Sequence, residues 1–384
     1  MSADVVVIGA GQAGLVAAYE LARRGYTPGD RLLVLDSNDG PGGAWRHRWD
    51  SLTLGKAHGI ADLPGMKLGT PDPTVPASVV VADYYGRYED EFGLKVLRPV
   101  TVGAVHDAGG GVSIDAVGPD GPLTISARVV VNATGTWTNP FVPFIPGADR
   151  FRGTQLRTVD YVRPEDFDGE RVLVVGGGLS AVQFLLPISR FAASTTWATR
   201  RPPNFTDMPF FAEWGIAVEK AVKERTTAGL APASVVRTTG IPLWPDYVAG
   251  VRDGVLVSRG MVSSFGARSA RFDGRDGAFA HGSEGLGPSA SDHLVLAESW
   301  QPFDEPTEIE IDTVLWATGF RAALAHLAPL KLREPGGGIT MADEVSVAKD
   351  DRIYLVGYGS SVSTTGATRA GRAAGRAAAR RLAR

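Results

Sequence analysis

A β-branched run, Val5-Val6-Val7-Ile8, passes directly into Gly9-Ala10-Gly11-Gln12-Ala13-Gly14 and then into LVAAYELARRG. No other stretch restricts the fold as strongly. A run that is apolar on both faces suits a buried parallel strand, and the segment after Gly14 returns apolar residues at helical spacing. In a strand–turn–helix of this type Gly9 permits the tight turn and Gly11 lets the backbone approach a pyrophosphate. Gly14 then allows helix and strand to pack closely. The helix start, with Gln12 and Ala13, offers free N–H groups and the positive end of its dipole to the phosphates. An acid closing the next strand should hold an adenosine ribose, and Asp36 ends LLVLD at that offset, with Ser37 following. A lone glycine pattern also fits a tight turn in an unrelated α/β protein. Strand, helix and acid together read as a dinucleotide site.

The device recurs. A second buried strand, Arg171 to Val175, opens into Gly176-Gly177-Gly178-Leu179-Ser180-Ala181, with Ala181 in place of the third glycine, as the pattern permits. The strand after it, STTWAT, ends in Arg200-Arg201 instead of an acid. An acid accepts from a free 2′-hydroxyl, whereas a guanidinium makes charge-assisted, bidentate bonds to a 2′-phosphate. The second dinucleotide is therefore expected to be NADPH more readily than NADH, unless the pair is a plain solvated turn. Two such turns in 384 residues imply an α/β fold with two Rossmann-like domains.

Composition narrows the chemistry. At 44% hydrophobic, 21% charged and a net charge of −3, the chain gives no sign of nucleic acid or an anionic membrane as a partner. No apolar run reaches a membrane span, and MSADVVVIG lacks the basic start of a signal peptide, so a cytoplasmic protein is expected. There is no cysteine, which removes disulfides, Cys-ligated zinc and any dithiol redox centre. Six scattered histidines show no paired ligand spacing, so no metal site is expected.

After Asp36 the chain crowds glycine and proline in SNDGPGG, an expected loop in which Gly43 lets a ligand approach the backbone. Gly42-Gly43-Ala44-Trp45 following an acid-ended second strand resembles the FAD-binding segment of flavin-containing monooxygenases and their Baeyer–Villiger relatives. The resemblance places Trp45 near the isoalloxazine and continues the flavin pocket through Ser51 and Leu52; the plainer alternative is a tryptophan closing a surface loop. Residues 61–78, with Pro64, Pro71, Pro73 and Pro76, read as loop, and VADYYGRYEDEFG as an amphipathic helix. LKVLRPVTVGAVHD reads as strand, turn, strand, then VSIDAV and PLTISARVVV as an antiparallel ribbon. The ribbon leads to Ala133-Thr134-Gly135, similar to the ATG crossover between the FAD and NADPH domains of two-dinucleotide flavoproteins. By the same resemblance Val102 offers its backbone to the adenine. Phe151-x-Gly153 matches the monooxygenase signature F-x-G-x-x-x-H, but Arg157 stands at the histidine position, where it could hydrogen-bond across a domain junction.

PFFAEWGIAVEKAVKERTTAG reads as helical, PLWPDYVAGVRDGVLV as loop ending in strand, and 264–293 as a hairpin with a long tip. Residues 308–316 read as one strand ending in a second ATG, Ala317-Thr318-Gly319, similar to the crossover back into the FAD domain. A late strand ends at Gly357, which the resemblance places at the flavin's ribityl-phosphate, with Tyr358 replacing an aspartate of disulfide reductases. The terminal TTGATRAGRAAGRAAARRLAR reads as a helix capped by Thr364 or Thr365, its arginines suiting a solvated face and the C-terminal dipole.

Taken over nearly the whole chain, the resemblance is to compact bacterial flavin-containing monooxygenases. It implies a discontinuous FAD domain, 1–150 and 308–384, with an NADPH domain, 151–307, inserted. It also implies that NADPH reduces the flavin, which with O2 forms a C4a-hydroperoxide that oxygenates a small organic substrate. A homodimer is compatible with this reading. The stretch that often carries a catalytic asparagine is here T53-L-G-K-A-H58-G, where Lys56 and His58 are the polar candidates, each equally readable as structural. An NADPH-dependent reductase or oxidase, and a non-catalytic flavin redox sensor, remain open.

Overall fold

The computed structural model describes residues 1–57, 59–206, 224–232, 240–277, 295–358 and 364–384. Their contacts form two compact units. One comprises Met1–Asn139 and Ala322–Arg384 together with residues 224–232, and the other the remaining described residues between 140 and 321.

In chain order the first unit opens with β1 (Ser2–Ile8), α1 (Gln12–Ala22), β2 (Leu32–Leu35) and α2 (Ala77–Glu91). It continues with β3 (Val96–Leu97), β4 (Thr101–Asp107), β5 (Val112–Gly118) and β6 (Gly121–Asn132). The second unit holds β7 (Thr154–Arg157), β8 (Arg171–Val175), α3 (Leu179–Ile188), β9 (Ser194–Ala198), β10 (Phe205–Thr206) and β11 (Ile241–Pro242). There follow α4 (Pro245–Arg252), β12 (Val262–Phe265), β13 (Ser269–Phe272), β14 (Thr307–Glu310) and β15 (Thr313–Trp316). The chain then returns to the first unit with β16 (Ile353–Leu355) and α5 (Thr364–Leu382).

The sheet of the first unit runs β3-β2-β1-β6-β5-β4, with β16 also on β6. Strands β3, β2, β1, β6 and β16 pair in parallel. Strand β6 is long because it serves two partners on one edge: Gly121–Ala127 pairs antiparallel with β5, and Val130–Asn132 pairs with β16 once the ribbon has peeled away. Its side chains alternate as a two-faced strand requires. Val5, Val7, Leu32, Val34, Val129 and Val131 face α1, α2 and α5, while Val6, Ile8, Leu33, Leu35 and Val130 face the ribbon and residues 324–341.

Two helices owe their positions to particular residues. In α2, Tyr84 donates to the Met66 carbonyl at 2.7 Å and Tyr88 to that of Pro64 at 2.9 Å, which ties down the proline-rich loop. In α5, Gly371 and Gly375, one turn apart, let the helix lie against α1. A β-carbon on Gly371 would come within 2.6 Å of the Ala13 carbonyl oxygen, and one on Gly375 within 2.8 Å of Glu20 Cβ. Arg376 then reaches the buried Glu20 at 2.9 Å, and Arg369 and Arg381 pair with Glu344 and Asp351. Three arginines expected to be merely solvated thus fix the terminal helix. The capping expected of Thr364 and Thr365 falls outside the described side chains.

In the second unit β7-β15-β8-β9 form a parallel sheet and β12-β13-β14 an antiparallel one. Two expectations fail here, and a third falls partly outside the described residues. Residues 242–257 do not run from loop to strand: Pro245 starts α4, because Tyr247, Gly250 and Val251 bury one helical face. The hairpin expected over 264–293 falls largely outside the described residues; those described give a tight hairpin, β12–β13, with its tip at 266–268, where Phe265, Ala270 and Phe272 supply apolar pairs, and β13 also pairs antiparallel with β14. Residues 308–316 are not one strand either. They break between β14 and β15 at Asp312, whose carboxylate accepts from the Arg171 backbone and guanidinium, so the segment changes sheets. The helix expected over 209–229 is described only at its end, where 224–227 is helical, and 278–294 lies outside the described residues.

Candidate functional site

The first glycine turn is built as its sequence demands. Gly9 has φ +100°, and a β-carbon there would lie 2.5 Å from the Ala133 carbonyl oxygen; one on Gly14 would overlap the Gly9 carbonyl oxygen. Gly11 meets nothing nearer than 3.9 Å, an atom of Gly43. Gly43, at φ +52°, leans on Gly11 so closely that its own β-carbon would be 2.7 Å from Gly11 Cα. The GGxW loop is thus docked on the phosphate turn. Asp36 is buried, with Oδ2 accepting from the Ala10 N–H at 2.6 Å and Oδ1 from the Asn38 N–H at 2.8 Å. Each oxygen keeps a lone pair, as ribose hydroxyls require. Helix α1 starts at Gly11 with no side-chain cap and no acid in its first turn, so its N–H groups are left for an anion. Gln12 is turned to α5, donating to Thr368 Oγ1 at 2.8 Å. These features fit FAD.

Other candidate residues divide. Gly357 and Gly135, both at positive φ, face each other across the ends of β16 and β6, the β-carbon position of Gly357 lying 3.6 Å from Gly135 Cα. Gly135, Ala133 and Gly9 are thereby brought together. Trp45 lies in the 3₁₀ turn Gly43–His47, half-buried, with Ala44 exposed beside it. Leu52 is a buried core residue, and Ser37, Ser51 and Lys56 are exposed. Val102 is half-buried at a register shift opposite Ala116. His58 lies outside the described residues. Tyr358 is structural: buried, its hydroxyl accepts from the Ile339 N–H at 2.8 Å.

The second turn repeats the first atom for atom in its essentials. Gly176 has φ +138°, and a β-carbon on it would overlap the carbonyl oxygen of Ala317, the counterpart of Ala133. Ala317 N–H donates to Val175 as Ala133 N–H donates to Ile8, both at 2.8 Å. Helix α3 starts at Gly178, again with no side-chain cap and no first-turn acid, and Ala181 is buried at its third position. Leu179 and Ser180 open that helix, half-buried. Thr318 donates to the Phe141 carbonyl, and Gly319 follows at φ +85°. At the end of β9, Thr199 is buried beside Gly177, donates to the Arg201 carbonyl at 2.6 Å and meets Ser258 Oγ at 2.6 Å. It folds the chain so that Arg200 is exposed and Arg201 half-exposed. Nearby, the F-x-G pattern has a steric basis, since a β-carbon on Gly153 would overlap the Phe151 ring. Arg157 does not reach out from this strand. Its fork is held by Asp160, at 2.8 and 2.9 Å.

Several residues around the turns were not foreseen. Trp197, fully buried, donates its indole N–H to the Gly176 carbonyl at 2.7 Å. Asn132 donates to Thr134 Oγ1 at 3.0 Å and meets His326 Nε2 at 2.6 Å, supporting the first ATG from below. Nothing in residue type or spacing marks His326, which arrives from a distant segment. Burial pulls its ionisation from 6.5 down to about 4. The unfolded chain therefore takes up a proton that the folded state refuses, and stability falls as pH drops from 6.5 toward 4. A shift of this size corresponds to about 3 kcal/mol at most, less for a ring that is partly exposed. His326→Gln should flatten this limb of a urea-unfolding series against pH, and an unchanged profile would show that His326 does not cause it.

Two turns with the same construction and opposite endings, one an acid and one an arginine pair, define a two-dinucleotide oxidoreductase of the flavoprotein class. The chain belongs to the pyridine nucleotide-disulphide oxidoreductase family, matched over residues 6–225, and within it to the flavin-containing monooxygenases. A flavin-containing monooxygenase from Stenotrophomonas maltophilia is 31% identical, with a TM-score of 0.74 and 98% of each chain covered. The indole-3-pyruvate monooxygenase YUCCA1 of Oryza sativa subsp. japonica is 33% identical over 217 residues, 56% of this chain and 52% of the rice protein. The chain thus spans about half the length of the curated relatives it matches. Thioredoxin reductase from Lactococcus lactis, 19% identical with a TM-score of 0.58 over 99% of each chain, shares the fold. Without cysteine, this chain cannot perform dithiol chemistry itself. Among the described residues there is no metal-binding cluster, and no helix is long and apolar enough to cross a membrane.

Proposed function

We propose that this chain is a FAD-dependent, NADPH-using monooxygenase that consumes O2 and oxygenates a small organic substrate, by sulfur or nitrogen oxidation or by Baeyer–Villiger insertion. The observation that carries the reading is the pair of uncapped, acid-free helix starts behind Gly11 and Gly178, each locked under an ATG alanine carbonyl. FAD, when bound, supplies the hydride acceptance and dioxygen chemistry. The chain's residues do the rest. Gly11 and the α1 N-terminus hold one pyrophosphate, and Asp36 holds the ribose. The Gly43–Trp45 loop closes over the same turn. Gly178 and the α3 N-terminus hold the second pyrophosphate, with Arg200 and Arg201 at the adenosine 2′ position. The first unit is then a discontinuous FAD domain and the second an inserted NADPH domain. A cytoplasmic setting suits NADPH use.

Purified protein should be yellow with tightly held, non-covalent FAD, and colourless protein that cannot be reconstituted would end the reading. With sulfide, amine and ketone substrates, NADPH and O2 consumption should match oxygenated product. Stoichiometric hydrogen peroxide with every substrate would instead support an NADPH oxidase, a reading favoured by Arg157 being engaged by Asp160. No NADPH consumption would leave a redox sensor.

A further inference from the structure

At the far end of α1 from Gly11 lies an open groove of about 380 Å³, lined by Arg24, Tyr26, Arg376, Ala379, Arg380 and Ala383. All six residues belong to the first unit. Helix α1 has 11 residues, so the groove stands about 16 Å along its axis from the first glycine turn. Three guanidinium groups meet there over a single carboxylate. Glu20, 3% exposed, accepts on the same atom, Oε1, from Arg24 Nη1 and Arg376 Nε, both at 2.9 Å. Two like charges are thereby held within reach of one oxygen. Gly375 allows this approach, because a β-carbon there would lie 2.8 Å from Glu20 Cβ. Arg380, one turn beyond Arg376 and exposed, makes no hydrogen bond or ion pair among the described residues.

Three arginines against one glutamate leave two uncompensated positive charges around one concave surface. Arginines scattered along a helix face are simply solvated, but these come from two segments and line one groove. Glu20 has also removed rotamer freedom that two long side chains otherwise lose on binding. The carbonyl ends of α1 and α5 lie close by and disfavour an anion, but their oxygens are occupied. Arg24 donates to the Glu20 carbonyl at 3.0 Å, the Tyr26 N–H to that of Leu21 at 3.3 Å, and Arg128 to that of Leu382 at 3.3 Å. A single guanidinium satisfies a carboxylate. A phosphate monoester carries a charge of about −1.5 to −2 at neutral pH and three terminal oxygens, which suits two net charges and three guanidinium forks. The groove has the volume of a small-ligand site and leaves room along Tyr26, Ala379 and Ala383 for the esterified body.

We propose that Arg24, Arg376 and Arg380 form a binding site for the phosphate monoester of a small soluble molecule, built from none of the residues of the glycine turns. FAD-loaded protein saturated with NADP+ is titrated calorimetrically with glucose 6-phosphate, inorganic phosphate and glucose. Glucose 6-phosphate should bind one per chain, inorganic phosphate should displace it, and glucose should not bind. Arg380→Gln should weaken glucose 6-phosphate on the order of 10- to 100-fold, the range of a charge-assisted bond, and Arg380→Lys should keep part of the affinity. Arg380 has no partner to lose, so the fold tolerates both changes. Arg372→Gln, an exposed change on α5 outside the groove, should leave binding unaltered. Failure of both phosphates to bind overturns the proposal, as does binding that Arg380→Gln leaves intact. Equal losses in Arg372→Gln and Arg380→Gln would reduce the groove to diffuse surface charge and overturn it as well. So would capture by vesicles containing phosphatidic acid without binding of the soluble ester, which would mark a membrane surface instead. No arm of the test reads turnover, so its outcome is independent of whether the chain is a monooxygenase or an oxidase.

Discussion

Replacing Gly14 with alanine should give protein that purifies colourless, whereas replacing Gly176 with alanine should give yellow protein that no longer binds NADPH. In the first turn the new β-carbon overlaps the carbonyl oxygen of Gly9, and Gly9 cannot retreat. Its N–H is bonded to the Leu35 carbonyl at 2.7 Å, and its β-carbon position is closed by Ala133. In the second turn the β-carbon overlaps the Ala317 oxygen, and the backbone stands at φ +138°, which alanine rarely adopts. Both obstacles are backbone atoms, so no side-chain rotation relieves them. Overpacking or backbone strain of this kind costs about 3 kcal/mol, which is on the order of 100-fold in affinity if it falls on the bound state. FAD content by absorbance and NADPH affinity by fluorescence titration separate the two defects. Loss of the same cofactor in both variants would mean that the turns do not hold different dinucleotides.

The second large effect concerns coenzyme choice. If Arg200 meets the adenosine 2′-phosphate, NADPH should be preferred over NADH by roughly 10- to 150-fold, the range of one charge-assisted hydrogen bond. Arg200→Gln should raise the KM for NADPH and leave that for NADH nearly unchanged, because only the phosphate contact is lost. Its exposure at the end of β9 leaves the guanidinium available, and Thr199 holds the turn that presents it. Arg201, half-exposed, is the residue suited to stacking on the adenine. Thr199→Val gives a further arm: it removes the bond to the Arg201 carbonyl while keeping both charges, and should weaken NADPH binding without reversing the preference. Equal use of both coenzymes, unaltered by Arg200→Gln, would identify the pair as a solvated turn.

Elements with a strong period or a steric requirement were legible in the chain. Strand β1, helix α1 and the acid at the end of β2 follow from a buried apolar run, helical spacing and one offset. The same reasoning found β8, α3 and the arginine ending of the next strand. The GGxW loop was placed by resemblance, and the structure adds that Gly43 presses on Gly11. Residues 242–257, and the break within 308–316, were misread because their patterns are short and ambiguous. In 308–316 one apolar alternation continues through Asp312, and nothing local says that Arg171 will bend the chain there into another sheet.

By itself the sequence determined where the backbone must lack a side chain, since Gly9, Gly14 and Gly176 are fixed by local turn geometry that only a few residues can satisfy. It also determined the sign of each strand ending. Tertiary structure alone decided what lies beneath and beside those turns. His326 reaches Asn132 across 194 residues, Trp197 reaches the Gly176 carbonyl, and Arg48 is enclosed by tryptophans from two segments. Local conformational energies select a turn from a window of a few residues. Burial, and the pairing or isolation of a charge that burial imposes, depends on chain segments meeting that no window contains.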